Sequence, residues 1–204
     1  SVYTRELKTP GDFIRWLDEL FTALGLDGGI NLLGLSYGGW LTSQYALAHP
    51  ERLAKIVMLA PAHTVLPIRL EFYLRAILCL LPSPRFNRSF TFWLLEDWAK
   101  QDETSRRRLA ESAEDMSLAA RCYQPKAMVS STVLTDSELG SIRIPALYMV
   151  GEHEKIYNPH KAIERLHQIA PQIKTELIPN AGHDLSLVQA ELVTQKVLEF
   201  LRQT

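Results

Sequence analysis

Cysteine is scarce: Cys79 and Cys122 are the full complement of the 204 residues, and they form no C-x-x-C. A disulfide-dense secreted scaffold is thereby excluded, and the expectation is two buried free thiols in a reducing, cytoplasmic setting, with one bridge as the alternative. An excess of one charge is also missing. Lys and Arg total 22 against 23 Asp and Glu, a formal net charge of -1, so no basic field draws the chain to nucleic acid or to an anionic membrane. The only basic cluster, Arg106-Arg107-Arg108, is flanked by Asp102, Glu103, Glu111 and Glu114, as on a solvated helix face. Long apolar runs are absent as well. The most apolar stretch, Val65 to Leu81, is interrupted by Arg69, Glu71 and Arg75, so neither a membrane-inserted segment nor a signal peptide is read. No internal repeat or low-complexity segment is visible. With 47% hydrophobic and 22% charged residues, the composition is that of one main globular domain with a sizeable core.

Taken in order, the chain alternates between helix and strand signals. Thr9, Pro10 and Asp12 form a helix start, with a hydroxyl cap, proline at the first helical position and an acid in the first turn. Phe13, Leu17, Leu20, Phe21 and Leu24 recur at helical spacing until Gly25 stops the helix. Asp27-Gly28-Gly29 reads as a turn. Ile30 to Leu35 is a buried strand, Trp40 to Ala48 an amphipathic helix, and Lys55 to Ala60 a second short apolar run ended by Pro61. That order implies a parallel sheet with helices on its faces. From Ala62 to Leu139 the strand signal disappears in favour of helical periodicity over Val65 to Leu81, Phe86 to Ala99 and Glu103 to Arg121. Strands return at Pro145 to Val150 and Thr175 to Ile178, separated by a helix capped at Asn158-Pro159. A closing helix carries Ala190, Val193, Val197, Phe200 and Leu201 on one stripe. The fold class expected is therefore α/β: a mostly parallel sheet flanked by helices, with residues 62–139 as a helical insertion between 1–61 and 140–204.

Gly34-Leu35-Ser36-Tyr37-Gly38-Gly39 stands between the first strand and its following helix. Gly-x-Ser-x-Gly at a strand-to-helix turn describes a nucleophile elbow, in which a strained serine lifts its Oγ clear of the sheet. Glycine at 34 and at 38 is expected because side chains there would collide with the tight turn. A serine hydroxyl needs a base within hydrogen-bond reach, itself oriented by a carboxylate. In a parallel sheet functional groups gather at the carboxyl ends of the strands. Gly151-Glu152-His153-Glu154 follows one later strand and Asn180-Ala181-Gly182-His183-Asp184 the other. Ser36, an acid and His183 thus run in α/β-hydrolase order.

These motifs, with His49-Pro50-Glu51-Arg52 after the elbow helix and Ile156 and Pro159 after the acid loop, closely resemble the α/β-hydrolase family and its carboxylesterase-like members with a helical cap. The resemblance covers nearly the whole chain. It implies Ser36 as nucleophile, His183 as general base and acid, and a carboxylate after the strand ending at Val150. The family usually has aspartate there, whereas this chain has Glu154, one methylene longer. Glu152 and Asp136 stay open as the acid, although Asp136 also suits a cap for Ser137 to Leu139. His153, His160 and the two glutamates lack a recognised metal-ligand spacing, and the implied chemistry needs no metal or organic cofactor. The implied activity is hydrolysis of a small, apolar carboxylic ester through an acyl-enzyme. Other serine-triad reactions of the fold (C–C or thioester hydrolysis, perhydrolysis) and a non-catalytic ligand-binding module are the alternatives. A serine at position 36 argues against dehalogenase and epoxide hydrolase chemistry, which in this family uses an aspartate.

The backbone N–H of Tyr37 is the expected first donor of an oxyanion hole. The second donor in the family comes from a His-Gly loop after an earlier strand, and only one helix precedes the elbow strand here. The family's opening strands are accordingly expected in a portion of the protein beyond these residues, or replaced by another chain, or by self-association through the edge of strand 30–35. The apolar residues of the insertion, among them Leu66, Ile68, Leu70, Phe72, Leu74, Ile77 and Leu81, are expected in part to line an entrance above Ser36.

Overall fold

The four apolar runs form one parallel sheet. In the computed structural model, which describes residues 6–81, 83–123 and 129–203, the strands β1 (Ile30–Leu35), β2 (Leu53–Leu59), β3 (Ala146–Gly151) and β4 (Ile173–Ile178) lie side by side in sequence order. Leu35 stands opposite Leu59, Met58 opposite Tyr148 and Gly151 opposite Ile178. All three pairings are parallel, so helices must cover both faces. β3 is buried along its whole length. β2 and β4 begin two residues before the runs read from the sequence, at Leu53 and Ile173, which are both buried and join the ladders.

α1 (Pro10–Ala23) opens on a reciprocal capping box: the Thr9 hydroxyl accepts from the Asp12 N–H while the Asp12 carboxylate accepts from the Thr9 N–H. It ends before Gly25, whose φ of 71° is the left-handed stop expected of that residue. α2 (Tyr37–Ala48) springs from β1, and a 3-10 turn at Pro50–Arg52 leads into β2. There Arg52 reaches back to the Asp18 carboxylate, the Thr22 hydroxyl and the Leu26 carbonyl, tying α1 to the sheet.

Between β2 and β3 the regular elements among the described residues are helices: α3 (Leu70–Leu78), α4 (Pro84–Leu94), α5 (Glu96–Gln101), α6 (Glu103–Cys122) and α7 (Asp136–Ser141). Two expectations are corrected here. Residues 65–69 are not helical; Pro67 disfavours helix at Leu66 and removes a donor, and Leu66 and Ile68 pack instead on the core. The single helix read over Phe86 to Ala99 is broken at Leu95 (φ -112°, ψ 44°). A continuous helix would bond the Trp98 N–H to the Leu94 carbonyl, but that N–H is given to Asp184, a residue of the far loop after β4.

α8 (Pro159–Ile169) is capped by Asn158, whose side chain accepts from the Lys161 N–H. The short α9 (Leu185–Val188) precedes α10 (Ala190–Arg202). One core cluster joins α1, α2 and α8 to Ile56, Met58, Tyr148 and Val150; the other joins α10 to Val57, Leu59, Leu147 and Met149. The alternation of β2 and β3 side chains across the sheet thus separates two apolar layers. Lys55 caps α10 from the sheet, donating to the carbonyls of Phe200, Leu201 and Gln203, where a cation also meets the negative helix end.

Both ends of the helical segment are clipped to α8. Arg165 donates to the Val65 carbonyl on the way in, and to the Leu134 carbonyl (2.8 Å) and the Asp136 carboxylate (2.6 Å) on the way out. The thiols also differ from expectation. Both are free, but only Cys79 is partly buried, while Cys122 is exposed at the end of α6. No helix of the described residues is long and apolar enough to cross a membrane.

Candidate active site

The sheet ends in four backbone distortions on one rim. Ser36 after β1 (φ 54°), Ala60 and His63 after β2 (40° and 55°) and Asn180 after β4 (53°) are the non-glycine residues with positive φ among those described. Such angles persist only where surrounding structure holds them. Around Ser36 that structure is visible: its N–H donates to the Leu59 carbonyl (2.8 Å), and its carbonyl accepts from Trp40 (3.2 Å) and Ala62 (3.0 Å). A Cβ on Gly34 would stand 2.1 Å from the Gly38 carbonyl oxygen, and one on Gly39 would stand 2.8 Å from Pro61. Gly38 is different. Among the described residues outside its own helix turn a Cβ there meets nothing within 4 Å, so the close approach that demands glycine among them lies at 34 and 39, not at 34 and 38.

The elbow presents its serine to the two loops at the other end of the rim. His183 Nε2 lies 2.9 Å from Ser36 Oγ, and its Nδ1 lies 2.8 Å from Glu154 Oε2. Glu154 is 4% exposed and His183 7%. The other oxygen of Glu154 accepts the N–H groups of Lys155 (2.8 Å) and Ile156 (3.0 Å), which fixes the carboxylate in its own loop. A carboxylate can only accept, so Nδ1 carries the proton and Nε2 is left to accept from the serine hydroxyl. Gly151 makes this juxtaposition possible: a Cβ there would stand 2.2 Å from the Ala181 carbonyl oxygen, in the loop that carries the histidine.

The sequence pattern of the alpha/beta hydrolase fold matches residues 8–190. The chain belongs to that family. It is 34% identical over 201 residues to the carboxylesterase YbfK of Bacillus subtilis (strain 168), covering 98% of this chain and 67% of that one. Identity is again 34% over 192 residues to the uncharacterized carboxylesterase nap of the same strain, covering 94% of this chain and 63% of the relative. The crystal structure of naproxen esterase (carboxylesterase NP) from Bacillus subtilis superposes with a TM-score of 0.83 at 32% identity, over 99% of this chain and 70% of that one. The chain is thus carboxylesterase-like and spans about two thirds of these relatives' length.

In this α/β-hydrolase the other candidate acids stand elsewhere. Glu152 is exposed and accepts from the Asn180 N–H (3.2 Å). Asp136 is held by Arg165 at the neck of the helical segment, and the cap of α7 is Thr135, in a capping box with Glu138, not Asp136. His153 is exposed and faces Asp97 (3.0 Å), and His160 lies on the exposed side of α8. Tyr37 begins α2, so its N–H is among the first-turn groups that no intrahelical carbonyl accepts. The Tyr37 phenol donates to the Val129 carbonyl (2.7 Å), and burial raises its pKa. Leu66, Ile68 and Phe72 are partly buried and pack on the core, while Leu70, Leu74, Ile77 and Leu80 are exposed.

Several contacts had no signal in the sequence reading. His63 Nδ1 lies 2.7 Å from the Ser131 carbonyl, bringing the returning segment to the rim beside Tyr37. α5 makes an ion pair from Glu96 to Lys155, the neighbour of Glu154. The Glu96 carboxyl is held at about 2, first by hydrogen bonding to Lys100 and then to Lys155.

Proposed function

We propose that the protein is a serine hydrolase of small carboxylic esters, with Ser36 as nucleophile, His183 as general base and acid, and Glu154 as the orienting carboxylate. The observation that carries this reading is the unbroken hydrogen-bond line from Ser36 Oγ through His183 to Glu154, 2.9 and 2.8 Å long, in a chain whose relatives are carboxylesterases. Ser36 Oγ attacks the ester carbonyl carbon as its proton passes to His183 Nε2, and Glu154 stabilises the imidazolium. The carbonyl oxygen becomes an oxyanion facing the Tyr37 N–H and the first turn of α2. Collapse expels the alcohol, which takes the proton from His183, and leaves an acyl-serine. Water, deprotonated by His183, then attacks the acyl carbon, releasing the acid and restoring Ser36. No step calls on a metal or an organic cofactor.

Residues 1–61 and 140–204 are assigned to the hydrolase core and 62–139 to a cap. The bond of Tyr37 to Val129 supports that division, since it rests the segment returning from α6 on the core beside the nucleophile. Leu70, Leu74, Ile77, Leu78 and Leu81 remain exposed on the cap, apolar surface that favours esters with apolar acyl or alcohol groups at up to about 0.8 kcal/mol per buried methylene. A fluorophosphonate probe tests the reading. Stoichiometric labelling that disappears in Ser36→Ala, with kcat/KM rising from acetyl to hexanoyl p-nitrophenyl esters, is expected. Absence of labelling indicates a binding module instead.

A further inference from the structure

We propose that Asp184 is a positioning residue, which holds the His183 loop in register by bonding it to the helical segment. The inference rests on the reading of His183 as the catalytic base. Asp184 directly follows His183, is 2% exposed, and occupies the N-cap position of α9 without bonding that helix through its side chain. Aspartate at an N-cap ordinarily accepts from its own helix. Here both oxygens are turned away from it. Oδ2 accepts the Trp98 N–H of α5 at 2.7 Å, and Oδ1 accepts the Gly182 N–H at 3.1 Å. One carboxylate therefore joins the residues on either side of the histidine to the first turn of a helix remote in sequence.

The α5 end of this tie is equally specific. Leu95, its N-cap residue, has no side chain able to cap, and α5 makes no side-chain cap bond of its own. Asp184 supplies the missing acceptor from across the rim, where an anion also meets the positive helix end. Three more bonds keep α5 on the same loops: Glu96 to Lys155, Asp97 to His153, and the Gln101 amide to the Val188 carbonyl (3.1 Å). Gly182 is packed within this cluster, 3.3 Å from Asp97 Oδ2 when a Cβ is placed on it. Burial raises the pKa of Asp184, so the fold retains a carboxyl here against its desolvation. The loop it restrains is otherwise built from Asn180, Ala181 and Gly182, which have little side chain with which to fix the imidazole.

The experiment compares wild type, Asp184→Ala and Asp184→Asn, with active serines counted by fluorophosphonate titration. Per titrated site, kcat in Asp184→Ala should fall on the order of tenfold to a hundredfold, as misplacement of a catalytic group does, with KM for p-nitrophenyl acetate within about twofold. Asp184→Asn should recover part of the loss, because its amide oxygen still accepts from Trp98. Equal kcat per titrated site in wild type and Asp184→Ala, with only a lowered Tm, overturns the proposal. So does an Asn variant as impaired as the Ala variant. If wild type turns over no ester, the esterase reading fails instead, and the low-field Nδ1–H proton resonance of His183 still decides the positioning role. It should shift or broaden in Asp184→Ala and in Asp184→Asn by less; an unchanged resonance in both overturns it.

Discussion

Glu154 is longer than the aspartate usual in this position, and the structure accommodates the added methylene by anchoring one oxygen to two N–H groups of its own loop. The second oxygen is then free to meet His183. Replacing the carboxylate by an amide offers Nδ1 a donor instead of an acceptor and favours the wrong tautomer, so Glu154→Gln should lower kcat by about four orders of magnitude. Asp136→Asn and Glu152→Gln, whose carboxylates are bonded to Arg165 and to the Asn180 N–H and not to the imidazole, should leave kcat within about threefold of wild type; p-nitrophenyl ester kinetics on the three variants decides between them. The elbow makes a second prediction at this scale. Gly34→Ala places a methyl against backbone that cannot retreat and should destabilise by about 1 to 3 kcal/mol, whereas Gly38→Ala enters open space among the described residues and should be stable or better, since alanine favours helix. Urea unfolding of both variants gives the comparison, and a Gly34→Ala protein as stable as Gly38→Ala would contradict it.

At the scale of elements, α5 is where electrostatics and topology meet. The Glu96 carboxyl sits at about 2 against an ordinary 4.5, so the folded state favours its ionised form. The stabilisation is therefore complete above the unfolded value near 4.5 and is lost as pH falls from there towards about 2. Glu96 is 39% exposed in its side chain, and solvent screening keeps the contribution small. The stability difference between wild type and Glu96→Gln, measured by urea unfolding, should be positive at pH 6 and shrink towards zero by pH 2. Growth of that difference on acidification would reverse the sign and refute the assignment. Asp184 acts in the opposite sense, because its raised pKa makes ionisation a cost that appears as pH rises. Local signals made much of this architecture legible: the Thr9 cap, the Gly25 stop, the β-strand runs and the two loops with Glu154 and His183 all follow from neighbours in sequence. The break at Leu95 does not, since its cause is a bond from Trp98 to a residue 86 positions away. The cap of α7 has a local cause instead: Thr135 and Glu138 form a Thr-x-x-Glu capping box, a signal present in the sequence itself, while Asp136 is bonded to Arg165.

For the whole molecule the decisive feature is the outer edge of β1. The sheet order places β1 at one margin of the described strands, and only its β2 side has a ladder among the described residues. Leu33 and Leu35, on one face of that strand, are 48% and 42% exposed, and Leu24 and Leu26 add apolar surface nearby in the chain. An extended edge with free backbone groups and exposed leucines is a template for a further strand. The 204-residue chain should accordingly show a mass that rises with concentration in sedimentation equilibrium. Leu33→Lys with Leu35→Lys sets charges along the margin and should shift the population towards monomer. The control is Leu70→Lys with Ile77→Lys on α3, which removes a larger exposed apolar area from a helix that has no free ladder. If the α3 pair abolishes association and the β1 pair does not, the contact is a hydrophobic helix face and strand addition at β1 is excluded. A chain that stays monomeric at every concentration shows that the β1 edge recruits nothing.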